Sequence, residues 1–216
     1  VNSQHTIHGK YGGVVPELAS RDHILKLVPL LDELLNLTKK NLNDLNLVAF
    51  TNGPGLLGPL LAGASFAKSL AWALDIPSIE IDHLEAHIFS PMISEERLKP
   101  PFISLLVSGG HTEFTIIKGF NNYLRIGTTL DDALGEAFDK SARVLGFKYP
   151  GGPEIEKHAK NGNEDKYKFP KPIINQKNCH FSFSGLKTAV AQTVASQKII
   201  SNKFKYDVAA SFQKTV

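Results

Sequence analysis

The chain has very little sulfur with which to build cross-links. Its 216 residues include one cysteine, Cys179, and one methionine. A single cysteine excludes an intramolecular disulfide framework and is typical of a protein from a reducing compartment. With 42% hydrophobic residues, the chain is expected to fold around an apolar core instead, as one large domain or two small ones.

Long apolar runs are missing as well. No uninterrupted apolar stretch approaches the roughly 20 residues that a membrane-spanning helix needs. We therefore expect no membrane among the partners of this chain.

Positive charge is concentrated in the last quarter of the sequence. The net charge is only +3, but residues 157–216 hold eleven lysines and three acidic residues, whereas residues 1–156 have an acidic excess. A polyanion such as RNA would therefore prefer the C-terminal portion. Solvated lysine-rich helices explain the same charge equally well, and both interpretations stay open.

Apolar spacing and turn residues predict helices that alternate with strands. Strands are expected at 47–51, 78–81, 102–107, 113–118 and 123–128. Helices are expected at 22–40, 59–74, 131–145, 185–197 and 205–216, together with one that begins at residue 82 and a short one that ends at about residue 160. Residues 161–180 are polar and rich in Pro and Lys, which is typical of a loop. Strands mixed with helices, together with one antiparallel hairpin, predict an α/β fold with a mixed sheet.

The stretch "IDHLEAH" contains the first candidate site. If Asp82 caps a helix, His83 and His87 lie one turn apart on one face. Two imidazoles so placed can share a metal ion, although a third ligand must come from elsewhere. Glu85 does not directly follow the first histidine, so this is not the zinc-protease signature. Polar surface histidines are the alternative.

The stretch "SLLVSGGHTEFTII" predicts a hairpin with an unusually bare tip. Gly109 and Gly110 can adopt positive φ, and without Cβ atoms they would let a phosphate reach backbone N–H groups. Ser108 and Thr112 could add hydroxyl donors. An ordinary β-turn, for which Gly-Gly is a standard choice, is the alternative. The Lys-Ser/Thr pair of a Walker loop is missing.

The stretch "LDDALGEAFDKSARVLGFKYPGGPEIEKH" offers two carboxylates. Asp139 lies on the polar side of an amphipathic helix and suits a ribose hydroxyl. The "PGGP" segment predicts a helix start with Pro153 at its first position, where bare glycines such as Gly152 could receive a nucleotide near Glu156. A solvated helix face with an ion pair between Glu136 and Lys140 is the alternative.

Two further motifs are given local roles. The glycines of "FTNGPGLLGPLLAG" are expected to serve strand-to-helix packing. The "FSFSGLK" stretch is expected to begin a helix that a serine caps, with Lys187 near an anion as the alternative.

The order of these motifs resembles one family closely. "SQHTIHGKYGGVVPELASRDH", "TNGPGLLGPLLAG", "DHLEAH", "LLVSGGHT", "LDDALGEAFDKSARVLGFKYPGGP" and "FSFSGLK" occur in the order found in the bacterial and mitochondrial branch of the tRNA threonylcarbamoyladenosine transferase family. The resemblance implies an actin-like ATPase (ASKHA) fold. Residues 1–100 would be part of its N-terminal subdomain with the metal-binding helix, and residues 101–216 part of its C-terminal subdomain.

The resemblance also implies an activity. Members transfer the threonylcarbamoyl group from threonylcarbamoyl-AMP to N6 of adenosine 37 in tRNAs that read ANN codons. The implied partners are tRNA, an actin-like paralogue and a small ATPase subunit, in the cytoplasm or, in a eukaryote, the mitochondrion.

Site residues follow from the same resemblance. His83 and His87 would be two of the three ligands of one divalent metal ion, with iron as the first candidate and zinc as the second. An adenylate (threonylcarbamoyl-AMP, AMP or ATP) would be held by Leu106, Val107, Ser108, Gly109, Gly110, Asp139, Gly152 and Glu156. Relatives often have Asp in place of Glu156. The family's terminal motifs, including the third metal ligand, are not found, so we expect a fragment that is inactive or nearly so by itself.

Rival functions come from other classes. A non-catalytic actin-like scaffold would need neither the histidine pair nor the glycine-rich loop. A phosphotransferase of the sugar or acetate kinase type would share the fold but release ADP. A metallopeptidase is disfavoured by the position of Glu85.

Overall fold

The computed structural model describes residues 4–94 and 98–216. Its chain divides into two compact units, Val1–Leu98 and Lys99–Val216. This division falls within two residues of the predicted one, while the assignment of each unit to an actin-like subdomain stays a prediction. No helix within the described ranges is long and apolar enough to cross a membrane.

The first unit is built on a strand–helix–strand arrangement. In chain order its elements are α1 (His5–Gly9), α2 (Pro16–Thr38), a 3-10 turn (Leu42–Asp44), β1 (Val48–Gly53), α3 (Leu57–Ala73), β2 (Ser78–Asp82), α4 (His83–Phe89) and α5 (Pro91–Ser94). The two strands pair in parallel, with Val48 opposite Ser78. The carboxyl ends of both strands therefore lie at one edge, where parallel sheets usually bind ligands.

Helix α2 is longer than its apolar spacing predicts. It begins at Pro16 rather than at residue 22, because the fixed φ of proline suits the first helical position. It continues through Pro29 and ends where Lys39 adopts a left-handed φ of 54°. The short helices α1 and α5 were not predicted, since fewer than two turns leave too little periodicity to detect.

The second unit places three antiparallel strands before four helices in the sequence. Its elements are β3 (Phe102–Val107), β4 (Thr112–Gly119), β5 (Asn122–Thr128), α6 (Leu134–Val144), α7 (Gly151–Ala159), α8 (Ser184–Ala195) and α9 (Asn202–Thr215). The strands pair in the order β3-β4-β5. Val107 and Thr112 form the last residue pair of the β3–β4 register before the turn, so the predicted hairpin is confirmed.

The core of this unit lies among helices α6 to α9. Fully buried apolar side chains from all four helices meet in it, including Ala137, Ile155, Val190, Val208 and Phe212. Burial of the larger of these side chains, Ile, Val and Phe, contributes roughly 1.5–3 kcal/mol each. This packing fixes the helices whose ends and faces line the cleft described below.

Candidate functional site

The histidine pair of the first unit begins helix α4. The carboxylate of Asp82 accepts hydrogen bonds from the N–H groups of Leu84 (2.8 Å) and Glu85 (2.9 Å), so the predicted cap is confirmed. His83 and His87 lie one turn apart with ring centroids 4.5 Å from each other, edge to face. The helix starts directly after β2, at the carboxyl edge of the parallel strands.

The geometry of the pair is compatible with two ligands of one ion. Imidazole nitrogens bind zinc or a similar ion at about 2.0–2.1 Å, and rings with centroids 4.5 Å apart are near enough to share one ion. Within residues 4–94 and 98–216, no group of three or more His, Cys, Asp and Glu side chains is placed to hold a metal. The two rings therefore form a partial donor set.

The tip of the β3–β4 hairpin is organised by Ser108. Its N–H donates to the carbonyl of His111 at 2.9 Å, and its hydroxyl accepts from the N–H of His111 at 3.0 Å and of Gly110 at 3.4 Å. Gly109 and Gly110 do not adopt positive φ, so a need for positive φ does not explain glycine at these positions. An added Cβ at either would meet no atom within 4 Å, so both face open space.

Thr112 does not serve as a ligand-facing donor, contrary to the sequence-based prediction. It is 2% exposed, its hydroxyl accepts from the N–H of Leu134 at 2.9 Å, and its carbonyl accepts from the N–H of Thr129 at 2.9 Å. Because these bonds hold the hairpin against the start of α6, its role is structural.

Gly135 is a residue of this site that the sequence analysis missed. Its N–H donates to the carbonyl of Ser108 at 3.2 Å. A Cβ at Gly135 would lie 2.7 Å from that carbonyl oxygen and 2.8 Å from the Cα of Gly109, closer than side chains approach backbone. An unexplained glycine in the first turn of a helix was the available signal, since glycine is unfavourable there without such a reason.

A cleft of about 570 Å³ brings together most of the predicted substrate-binding residues. Of the eight, six line it: Val107, Ser108, Gly109, Asp139, Gly152 and Glu156. The other two do not: Leu106 is buried in the sheet, and Gly110 lies outside the lining. Additional lining comes from Leu134, Gly135, Phe138, Tyr149, Pro150, Pro153 and Gln213.

Asp139 fixes the junction between α6 and α7 in this cleft. Its Oδ1 accepts from the N–H of Gly151 at 2.6 Å, and a Cβ on Gly151 would come within 2.7 Å of the Cα of Asp139. Helix α7 begins at Gly151, so Pro153 is its third residue and not, as predicted, its first. Within the part of the chain that the structure describes, Gly151 is the donor found for this carboxylate, through Oδ1.

The other polar side chains in and near the cleft interact with neighbouring residues. Burial, and after it the negative charge of Asp139, raises the pKa of the Tyr149 hydroxyl, which therefore stays a neutral donor at pH 7. Glu156 is exposed and lies 3.4 Å from the ammonium of Lys160. An ion pair of 2.7 Å joins Glu136 and Lys140, so the solvated-face interpretation is correct for those two residues.

The start of α8 is capped by a distant aspartate. Asp131 accepts hydrogen bonds from the hydroxyl of Ser182 (2.6 Å), the N–H of Phe183 (2.7 Å), and both the N–H (3.1 Å) and hydroxyl (2.8 Å) of Ser184. The predicted serine cap is wrong, since neither serine accepts from the helix N–H groups. Burial raises the pKa of Asp131, but these donors outweigh it and hold that pKa below its usual value.

The second unit thus holds one cleft lined by a glycine-rich turn, two carboxylates and a helix N-terminus. A sequence model of the family described as TsaD, tRNA N6-adenosine threonylcarbamoyltransferase, matches residues 1–216, and the chain belongs to that family. Its fold is accordingly of the actin-like ATPase class, as the resemblance implied.

Individual relatives agree with the family match. The chain is similar to proteins named tRNA N6-adenosine threonylcarbamoyltransferase from Dichelobacter nodosus (49% identity over 216 residues), Pelagibacter ubique (48% over 216) and Thermosipho africanus (49% over 217). Each match covers 100% of this chain but 63%, 60% and 65% of the respective relative. The chain thus spans about three-fifths of the length of these relatives.

Proposed function

We propose that this chain provides the adenylate cleft and two metal ligands of an N6-threonylcarbamoyltransferase that acts on adenosine 37 of tRNAs reading ANN codons. The observation that carries the proposal is the joint lining of one cleft by Ser108, Gly109, Asp139, Gly152 and Glu156. Family membership over the whole chain supports the reaction that we assign.

The cleft suits an adenylate from end to end. Backbone groups at the open turn of Gly109 and at the N-terminus of α7 offer N–H donors to a phosphate, and the helix dipole favours its charge. The second carboxylate oxygen of Asp139 and the carboxylate of Glu156 are acceptors for the two ribose hydroxyls. We expect threonylcarbamoyl-AMP, AMP and ATP all to be able to occupy the cleft.

The reaction that follows is an acyl transfer without a covalent enzyme intermediate. The N6 amine of the tRNA adenosine attacks the carbamoyl carbon, the bond from that carbon to the phosphate oxygen breaks, AMP leaves with the electron pair of that bond, and the proton lost by the amine passes to solvent. The cleft residues hold the adenylate in place, so that the attack occurs at the carbamoyl group rather than at phosphorus.

The proposal includes one divalent metal ion, for which Fe²⁺ is the first candidate and Zn²⁺ the second. When bound, it would supply Lewis-acid polarisation of the carbamoyl carbonyl. His83 and His87, one turn apart with the Asp82 cap fixing their helix, would hold it together with a third ligand from outside the described residues.

The macromolecular partners follow the reaction. The lysine-rich residues 157–216 favour contact with the tRNA backbone. An actin-like paralogue and a small ATPase subunit complete the set that we propose, in the cytoplasm of a bacterium or in a mitochondrion.

A segment exchange tests this function. The 216 matching residues of the Dichelobacter nodosus relative are replaced with this chain, and the modified adenosine is measured by mass spectrometry after incubation with threonylcarbamoyl-AMP and tRNA. We expect the exchanged protein to modify tRNA, and its Asp139→Ala and His83→Ala forms to lose most activity. A Gln192→Ala form, changed on an exposed part of α8, is the matched control. A folded but inactive exchange protein, beside an active parent, would contradict the proposal.

A further inference from the structure

Gln213 is the one residue of helix α9 on the wall of the cleft, and the adenylate contacts named so far give it no role. The preceding turns of α9 are buried, with Val208, Ala209 and Phe212 at 0% exposure. Phe212 packs edge to face on Phe138 with ring centroids 5.0 Å apart. The backbone that carries Gln213 is thus fixed against helix α6, while its side chain is exposed.

The residues of α6 that contact the neighbouring elements show where Gln213 lies along the cleft. The hydrogen bond from Gly135 to Ser108 marks the end of α6 at the glycine-rich turn. Asp139 lies four residues further along, about 6 Å at 1.5 Å per residue. Phe138, three residues along α6 from Gly135, contacts Phe212 of α9, the residue before Gln213. Gln213 therefore lies near the level of Phe138 and Asp139, about one helical turn from the glycine-rich turn.

A nucleoside monophosphate with its phosphate at the turn would have its nucleoside part at the level of Asp139 and Gln213. We propose that the side-chain amide of Gln213 binds the edge of the adenine base, an inference that rests on the proposed function. Adenine presents an amine donor at N6 beside an acceptor ring nitrogen, and a glutamine amide offers the complementary acceptor and donor. Asp139 and Glu156 can only accept, so neither can satisfy the ring nitrogen.

The flanking residues suit a base at this level of the cleft. Near the level of Asp139, Phe138 contributes apolar surface and Tyr149 an aromatic ring to the lining. Such surfaces bind the faces of a purine without distinguishing one purine from another. Gln213 would then determine which purine is preferred.

The test pairs a change in the protein with a change in the ligand. AMP and purine riboside 5′-monophosphate, which lacks the N6 amine, are titrated into the chain and its Gln213→Leu variant by NMR. We expect loss of the amine to weaken binding to the wild type by about tenfold, the size of a bidentate base contact. Gln213→Leu should bind AMP about tenfold more weakly and bind both ligands equally, because the same contact is removed twice.

Two further variants test whether the effect is specific to the side-chain amide of Gln213. A Gln192→Leu variant on exposed α8 should behave as the wild type with both ligands. In a Gln213→Glu variant, the acceptor-only carboxylate should lower AMP affinity and raise that of GMP, whose N1 and N2 are donors. Thermal unfolding curves of all variants exclude loss of the fold as the cause.

The outcomes separate this inference from the function on which it rests. If Gln213→Leu still prefers AMP to the ligand without the amine, Gln213 does not bind the base, and the adenylate cleft stands. If the wild type binds neither nucleotide, or if the shifts fall outside the cleft, the proposed function fails and the role of Gln213 with it.

Discussion

The carboxylate of Asp139 accepts a 2.6 Å hydrogen bond from the N–H of Gly151, at the first residue of helix α7. A residue assigned to a ribose hydroxyl thus also determines where the next helix begins. Because one oxygen serves the helix, a ligand would meet the other in a fixed direction. This double role makes the ligand-binding and structural effects of Asp139 separable by substitution.

Asparagine and alanine at position 139 should therefore differ. Asp139→Asn keeps an oxygen for Gly151 but removes the charge, so it should lower AMP affinity while changing the free energy of unfolding little. Asp139→Ala leaves the Gly151 N–H without its acceptor, which should cost about 1–3 kcal/mol. Urea unfolding and AMP titration of both variants check this. Equal loss of stability in both would show that the charge, rather than the hydrogen bond, supports the junction.

Gly135→Ala should disturb the hairpin tip. Its Cβ would lie 2.7 Å from the carbonyl oxygen of Ser108, and backbone cannot rotate away as a side chain can. We expect a loss of about 1–3 kcal/mol in the free energy of unfolding, typical of overpacking, and weaker AMP binding. Gly63→Ala in α3, where a Cβ meets no atom within 4 Å, is the matched control and should stabilise by up to about 1 kcal/mol. A stabilised Gly135→Ala would contradict the close approach.

The junction of α7 and α9 should weaken in acid. Asp207, 7% exposed, accepts from the N–H of Asn163 at 2.7 Å and pairs with Lys203 at 2.9 Å. Burial raises its pKa, but the hydrogen bonds from Lys203 and Asn163 outweigh this and hold that pKa below its usual value of 3.8. Since the folded pKa is the lower one, the contribution is complete above about pH 4 and is lost as the pH falls through the folded pKa.

Asp207→Asn checks this pH dependence. The variant should be less stable than the wild type at pH 7 by circular dichroism in urea, and the difference should shrink as the pH falls below about 4. Asp165→Asn, at a carboxylate whose side chain is 75% exposed, is the control and should show little change at any pH. A gap between Asp207→Asn and wild type that stays constant down to pH 2 would rule out ionisation as the cause.

His83→Ala and His87→Ala should each remove most metal binding. With two imidazoles in the described donor set, loss of either leaves a single ligand, and we expect Zn²⁺ or anaerobic Fe²⁺ to bind roughly tenfold or more weakly by calorimetry. His180→Gln, outside this pair, should retain the wild-type affinity. Metal binding that survives both alanine substitutions would remove the histidine pair from the account.

Local chemistry explains what could be predicted from the sequence. The Asp82 cap, the 102–107 and 113–118 strands and the Glu136–Lys140 pair depend on residues a few positions apart, and the structure contains each of them. The motifs also name six residues that line one cleft.

Long-range contacts explain what could not be predicted. Asp131 caps a helix 51 to 53 residues away, and the value of Gly135 depends on a hairpin tip that folds back onto it. Thr112 has the same hydroxyl whether it faces a ligand or Leu134, so its burial cannot be deduced from spacing. Gln213 lies on a helix that packs against α6 through the contact of Phe212 with Phe138, two residues far apart in the sequence.

The most direct test of the central claim is an amide NMR titration of the chain with AMP, with inorganic phosphate at the same concentrations as the reference. The account predicts saturable shifts with AMP for the amides of Gly109, Gly152 and Gln213, whereas phosphate alone should shift Gly109 and Gly152, where the phosphate is placed, but not Gln213. Shifts confined to lysine-rich surface residues, or identical shifts with phosphate, would show that the cleft does not bind an adenylate.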